Sequence, residues 1–155
     1  MKIEKFNIGD DYVCNIYVIG EEGEPCIIVD PGADPNQFLE KYVNKHHGGQ
    51  IAGFLLTHGH YDHIEGLRLC TMKAPVYVHL LEEEFLVEPA YNLSLDFLDN
   101  LYIRGLKTVL FIDGDILNMA NTGSKSSTPH STQGEVLVSI SKMSTFSSLE
   151  TPSSI

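Results

Sequence analysis

The run His58-Gly59-His60-Tyr61-Asp62-His63 constrains this chain more than any other feature of its sequence. Four side chains able to bind a metal fall within six residues. Neutral imidazole and carboxylate both suit zinc, and histidine is its common ligand. In extended backbone, residues two apart point the same way, so His58 and His60 can converge on one ion. Asp62 and His63 follow a turn and can face a second ion beside the first. Two ions about 3.5–4 Å apart can hold both the attacking and the leaving oxygen of a hydrolysis. Gly59 permits tight backbone geometry between the first two ligands.

The flanking sequence predicts a scaffold for this run. Met1 to Ile8 alternates apolar and polar residues and reads as a first strand. Tyr12 to Ile19 reads as a second strand and Cys26 to Asp30 as a third, ending at Pro31-Gly32. Short turns between them predict an antiparallel meander. The period then changes. Asp34 is placed to cap a helix with Pro35 at its first position, and Phe38, Leu39, Tyr42 and Val43 fall on one face. Gly48 and Gly49 stop that helix. Ile51 to Leu56 is a short apolar run of buried-strand type. Strand, helix, strand predicts a right-handed crossover to a parallel neighbour. The histidine run then lies on a loop at the strand's carboxyl end, where open α/β sheets place their ligands.

Beyond the run, the sequence predicts a helix over Ile64 to Met72, a strand over Pro75 to His79 and a helix over Leu81 to Val87. Glu82, Glu83 and Glu84 sit in that helix's first turn, where the dipole favours acids and solvent covers them. Thr108 to Ile112 is a further strand, and Asp113-Gly114-Asp115 a turn. His79 reads as a strand-end residue rather than a ligand. His46 and His47 complement a helix C-terminus. From about Thr122 the chain is dominated by Ser and Thr and has little apolar periodicity. Only Val136 to Ile140 has the character of a strand there. The domain division is therefore 1–119 as the folded portion and 120–155 as a Ser/Thr-rich aberrant tail.

Composition excludes several function classes. The chain has 155 residues, enough for one domain, and a net charge of -11. That charge disfavours nucleic acid and anionic membranes as partners. No signal peptide precedes the first strand, which predicts a cytoplasmic protein. The three cysteines, Cys14, Cys26 and Cys70, lack C-x-x-C spacing and read as reduced, mostly buried thiols.

The segment H-x-H-x-D-H resembles the metal-binding signature of the metallo-β-lactamase superfamily. The strand and turn Ile27 to Gly32, and the run Ala74 to His79, fit the same pattern, so the resemblance covers roughly residues 1–119. The nearest flavour is the glyoxalase II-like group, which acts on thioesters or similar esters with a zinc-bound hydroxide. The resemblance implies an α/β fold, a four-layer αββα sandwich built from two similar halves, of which the N-terminal half is present. It implies two zinc ions per site, with iron or manganese as alternatives. It assigns His58 and His60 to the first metal. Asp62 and His63 belong to the second, with Asp62 also near the nucleophilic water. Asp30 would orient a ligand histidine. The implied partner is a small ester or thioester. An iron-dependent persulfide dioxygenase of the same fold is the enzymatic alternative, and an inactive remnant that binds metal weakly is the non-enzymatic one.

The second half of the family pattern breaks. The family supplies a ligand His in T-P-x-H-T-x-G, a bridging Asp in S-G-D-T and a final His. Here Thr128 to Gly134 aligns with the first segment, but Ser131 stands where the ligand belongs and His130 is one place early. No S-G-D-T follows. Read one frame over, however, the codons possible for Ser127 to Gly134 allow H-T-P-F-H-T. Those for Thr145 to Ser154 allow L-L-F-S-G-D-T-L-F. The expectation is that the tail from about residue 120 is a frameshifted translation of a complete hydrolase, and that the chain as written leaves the sheet's inner face uncovered and poorly stable.

Overall fold

Strands β1 (Lys2–Ile8), β2 (Cys14–Gly20) and β3 (Cys26–Val29) form the antiparallel meander that the alternation predicted. The computed structural model describes residues 1–8, 13–34, 37–95, 100–119 and 137–139. Tyr12 and Pro35 lie outside them, as does most of the tail. After β3, helix α1 (Phe38–His46) crosses over, and β4 (Ile51–Leu55) returns parallel to β3. Helix α2 (Tyr61–Leu69), β5 (Val76–His79), a 3-10 helix (Leu80–Leu86) and β6 (Thr108–Phe111) follow. The six strands stand in chain order, β1-β2-β3-β4-β5-β6, and β4, β5 and β6 are mutually parallel. β7 (Ile116–Asn118) pairs antiparallel with β8 (Leu137–Ser139) in a separate two-stranded sheet. The predicted strand in the tail thus exists at Leu137–Ser139, while the rest of the proposed tail segments fall outside the described residues.

One face of the large sheet packs against the helices. Ile16, Ile28, Phe54 and Val76 from the strands meet Leu39 and Val43 of α1, Ile64 and Leu67 of α2, and Leu86 of the 3-10 helix. Fully burying side chains of this kind contributes about 1.5–3 kcal/mol each before entropy is charged against it. β3 is buried at every residue, as expected of a strand covered on both faces.

The second face is not bare, contrary to expectation. Ile27, Val29, Ala52, Tyr77 and Phe111 form a second cluster, and Leu117 and Met119 lie over it. Met119 is 0% exposed. A Cβ at Gly53 would stand 2.7 Å from the Met119 methyl, so that glycine makes the space Met119 fills. The turn at Asp113-Gly114-Asp115 swings β7 across the sheet. It is closed by Asp115 N–H donating to Ile112 O and by Ile112 N–H donating to Asp115 Oδ2 at 2.9 Å.

Three local expectations need correction. Asp34 caps α1 from farther upstream than predicted: its two carboxylate oxygens accept the amides of Phe38 at 2.8 Å and Leu39 at 2.7 Å. Gln37, at φ 54, occupies the position before the helix and turns the chain so that Asp34 can reach back. The second helix begins at Tyr61 rather than Ile64, so Asp62 and His63 are helical and not in a loop. The sequence masked this because ligand-type residues fill the first turn, where apolar periodicity cannot show. Glu82 is half-buried and engaged with the histidine loop rather than solvated.

Candidate metal centre

Asp30 is the hub on which the histidine run is hung. It follows β3 directly, is 3% exposed, and adopts φ 50, a left-handed conformation that aspartate tolerates better than most residues. Its Oδ1 accepts the Thr57 N–H at 2.8 Å, and its Oδ2 accepts the Thr57 hydroxyl. Oδ2 also lies 3.1 Å from His63 Nδ1. The Thr57 hydroxyl oxygen in turn lies 3.1 Å from His58 Nδ1. One buried carboxylate therefore orients two imidazoles, His63 directly and His58 through Thr57. In both rings Nδ1 is engaged, which leaves Nε2 as the nitrogen free to bind a metal.

The approach of α2 makes this possible. A Cβ at Gly66 would stand 2.5 Å from Gly32 O and 2.7 Å from Pro31 O, so only glycine lets the helix lie on the Pro31–Gly32 turn. Gly66 N–H bonds to Gly32 O, and Gly32 N–H donates to His63 O at 3.0 Å. These backbone bonds set the helix's first turn against the end of β3, and so His63 against Asp30.

The four predicted ligands are brought together in part. The ring centroids of His58 and His63 are 3.9 Å apart, and those of His58 and His60 4.7 Å. His63 Nε2 is 3.5 Å from Asp62 Oδ2. Two donors each about 2.0–2.1 Å from a tetrahedral zinc stand about 3.4 Å from each other, so Asp62 and His63 have the spacing of two ligands to one ion. Among the described residues no three of His, Cys, Asp and Glu are grouped to hold one metal. His58 lies against both His63 and His60, and Asp62 lies against His63, so the four side chains form one connected cluster.

Electrostatics separate the two oriented histidines. Burial lowers the pKa of His58, and the neighbouring His63 and His60 push it the same way, so His58 stays neutral and ready to bind a cation. Burial alone would also lower His63, but its hydrogen bonds to Asp30 and Cys14 and their charge outweigh it. The result is a group pushed up to about 10.

Sequence reasoning passed over four residues that shape this site. Cys14 Sγ lies 3.5 Å from His63 Nδ1 and donates to Asn15 O. Thr57 links Asp30 to His58. Glu82 accepts the Gly59 N–H at 3.0 Å, and the Asn92 carbonyl accepts the Tyr61 N–H at 2.9 Å. Only Thr57 carried a signal, its place directly before the run. The other three come from elements remote in sequence. His79 behaves as expected, ending β5 with Nδ1 accepting the Leu81 N–H at 3.2 Å. His46 and His47 end α1, where His46 pairs with Glu22 at 3.1 Å and His47 is buried against the Glu24 carbonyl at 2.9 Å.

A strand-turn carboxylate holding an H-x-H-x-D-H run at the end of a mixed sheet defines a class of proteins, and comparison agrees. The chain belongs to the metallo-beta-lactamase superfamily, whose family model matches residues 9–142. It is 32% identical over 133 residues to the uncharacterized protein Rv2581c of Mycobacterium tuberculosis, covering 80% of this chain and 59% of that one. It is 31% identical over 94 residues to the probable metallo-hydrolase YqgX of Bacillus subtilis, covering 59% of this chain and 43% of that one. The chain thus spans about half the length of these relatives. Among solved structures, the BLEG-1 B3 metallo-beta-lactamase superposes with a TM-score of 0.62 at 26% identity, over 75% of this chain and 56% of that one. TTHA1623, in a di-iron-bound form, shares the fold with a TM-score of 0.52 at 24% identity, over 74% of this chain and 56% of that one. No helix among the described residues is long and apolar enough to cross a membrane.

Proposed function

We propose that this chain is the ligand-bearing part of a metal-dependent hydrolase acting on a small ester or thioester of the hydroxyacylglutathione type. The observation that carries the reading is the Asp30 hub. A buried carboxylate aims the free nitrogens of His58 and His63 away from itself, and Asp62 Oδ2 stands 3.5 Å from one of them. This is how proteins prepare imidazole ligands for a cation. A divalent metal there supplies a water activated near neutral pH and a Lewis acid for the scissile carbonyl. The chain's own residues do the rest: His58 and His60 hold one position, and Asp62 and His63 hold the other. Asp62 is also the carboxylate placed to orient the attacking water, and Asp30 keeps His63 from turning. YqgX, named a probable metallo-hydrolase, supports the reaction class. Zinc is the metal that this donor set favours, with iron the alternative that would accompany persulfide oxidation.

The test is metal titration of the purified chain followed by assay on a hydroxyacyl thioester of glutathione, beside His58→Ala and Asp62→Ala variants. Zinc-dependent hydrolysis lost in both variants supports the reading. Tight metal uptake that both variants retain overturns it.

A second reading concerns residues 120–155. Each donor pair lacks a third protein ligand among the described residues, and catalytic zinc ordinarily has three. The shifted frame allows the two missing ligand segments at plausible spacing. The reading is that the tail departs from the family by a frameshift and that the chain as written binds metal weakly and turns over poorly. Sequencing the gene across residue 120 decides it: a shifted frame without T-P-x-H-T and S-G-D-T rules the idea out.

A further inference from the structure

His60 sits between two backbone amides that both bond to the segment following β5. The Gly59 N–H donates to Glu82 Oε2 at 3.0 Å, and the Tyr61 N–H donates to the Asn92 carbonyl at 2.9 Å. The two acceptors are built differently. Asn92 is 0% exposed, and its side-chain amide donates to the carbonyls of Phe85 at 2.8 Å and Leu101 at 3.1 Å, so it is part of the core. Glu82 is a half-buried side chain on the 3-10 helix, beside Glu83 and Glu84, which are exposed. Gly59 is buried, so its amide needs an acceptor from the protein, and Glu82 supplies it. What the carboxylate adds is a charge-assisted bond of fixed direction. It draws the loop flat against the 3-10 helix, where a Cβ at Gly59 would collide with Phe85 Cβ. The His60 ring then lies 6.1 Å from the Phe85 ring and 4.7 Å from His58.

We propose that Glu82 is a positioning residue that holds the Gly59 amide and thereby sets the His58–His60 pair for a divalent metal. The proposal rests on the metal-dependent reading above, but its geometry can be tested without metal. Glu82→Ala, Glu82→Gln and Glu83→Ala are made in the full chain. Two quantities are measured: the affinity for Co²⁺ from its visible absorption, and the NOE between the His60 and Phe85 rings in the metal-free chain. Glu82→Ala is expected to weaken Co²⁺ binding about tenfold, within the range for groups that orient ligands, and to lose the NOE. Glu82→Gln keeps a carbonyl oxygen for the same amide and is expected to retain both, and Glu83→Ala to match the parent. If Glu82→Ala does not fold, Glu82→Met, which fills the volume without an acceptor, takes its place. An NOE and an affinity that survive removal of the acceptor overturn the proposal, as does a Gln variant no better than Ala. If the parent itself takes up no Co²⁺, the metal-dependent reading falls, and the NOE alone decides whether Glu82 positions His60.

Discussion

Asp30 and His63 make the site sensitive to pH. In the metal-free chain the His63 pKa is raised from its ordinary 6.5 to about 10. The stability this contributes is fully present below pH 6.5 and is lost as pH rises from there towards 10. Thermal melts in chelator across that window should therefore show a falling midpoint, and Asp30→Asn should flatten the fall. An unchanged slope in the variant would mean the pair does not carry it. Metal loading must expel the same proton, so affinity for a divalent ion should rise across the same window. The thiols are held in their neutral form. Burial pushes Cys26 up to about 12 and raises Cys70 as well, so neither forms much thiolate near neutral pH. Ellman's reagent should label Cys26, which is 0% exposed, slowly until denaturant is added, and rapid labelling of that thiol in the native chain would contradict its burial.

At the scale of elements, the contact between α2 and the turn after β3 controls the site. Gly66→Ala places a methyl against two backbone carbonyls that have no soft neighbour to yield. The expected loss is about 1–3 kcal/mol by urea titration, as for other overpacked contacts, with weaker metal binding because α2 carries Asp62 and His63. A variant with parent stability would show that the helix has room to move. The crossover from β3 through α1 to β4 was legible in the sequence because apolar spacing switches from strand to helix and back, with Gly48 and Gly49 between. The start of α2 was not legible. Its N-cap is His60 and its first turn holds Asp62 and His63, whose types report chemistry rather than periodicity. The capping of α1 was half legible: Asp34 was identified, but its reach depends on the φ 54 of Gln37, which no propensity gives.

At the scale of the molecule, the two faces of the large sheet differ in what covers them. The helices cover one, and Leu117 and Met119 close the centre of the other. Met119→Ala should cost about 2–5 kcal/mol, the usual range for emptying a buried site, and should increase binding of a dye that reports apolar surface. No change in either would mean the second face does not depend on Met119. At the sheet's two edges, Ile3 of β1 is 60% exposed and Leu110 of β6 is 41% exposed, which favours edge-to-edge association at high concentration.

The sequence alone determined the strand meander, the parallel crossover and the identity of the four ligand-type residues. Each is written in local spacing, and local spacing survives any tertiary arrangement. The resemblance to the metallo-β-lactamase superfamily, rather than spacing, marked Asp30 as the group that would orient a histidine. Only the tertiary structure decided that this carboxylate serves two imidazoles, that Cys14 closes behind His63, and that Glu82 and Asn92 hold the backbone on either side of His60. Those partners are 23 and 49 residues apart along the chain for the side-chain bonds of Glu82 and Cys14, and packing alone brings them together.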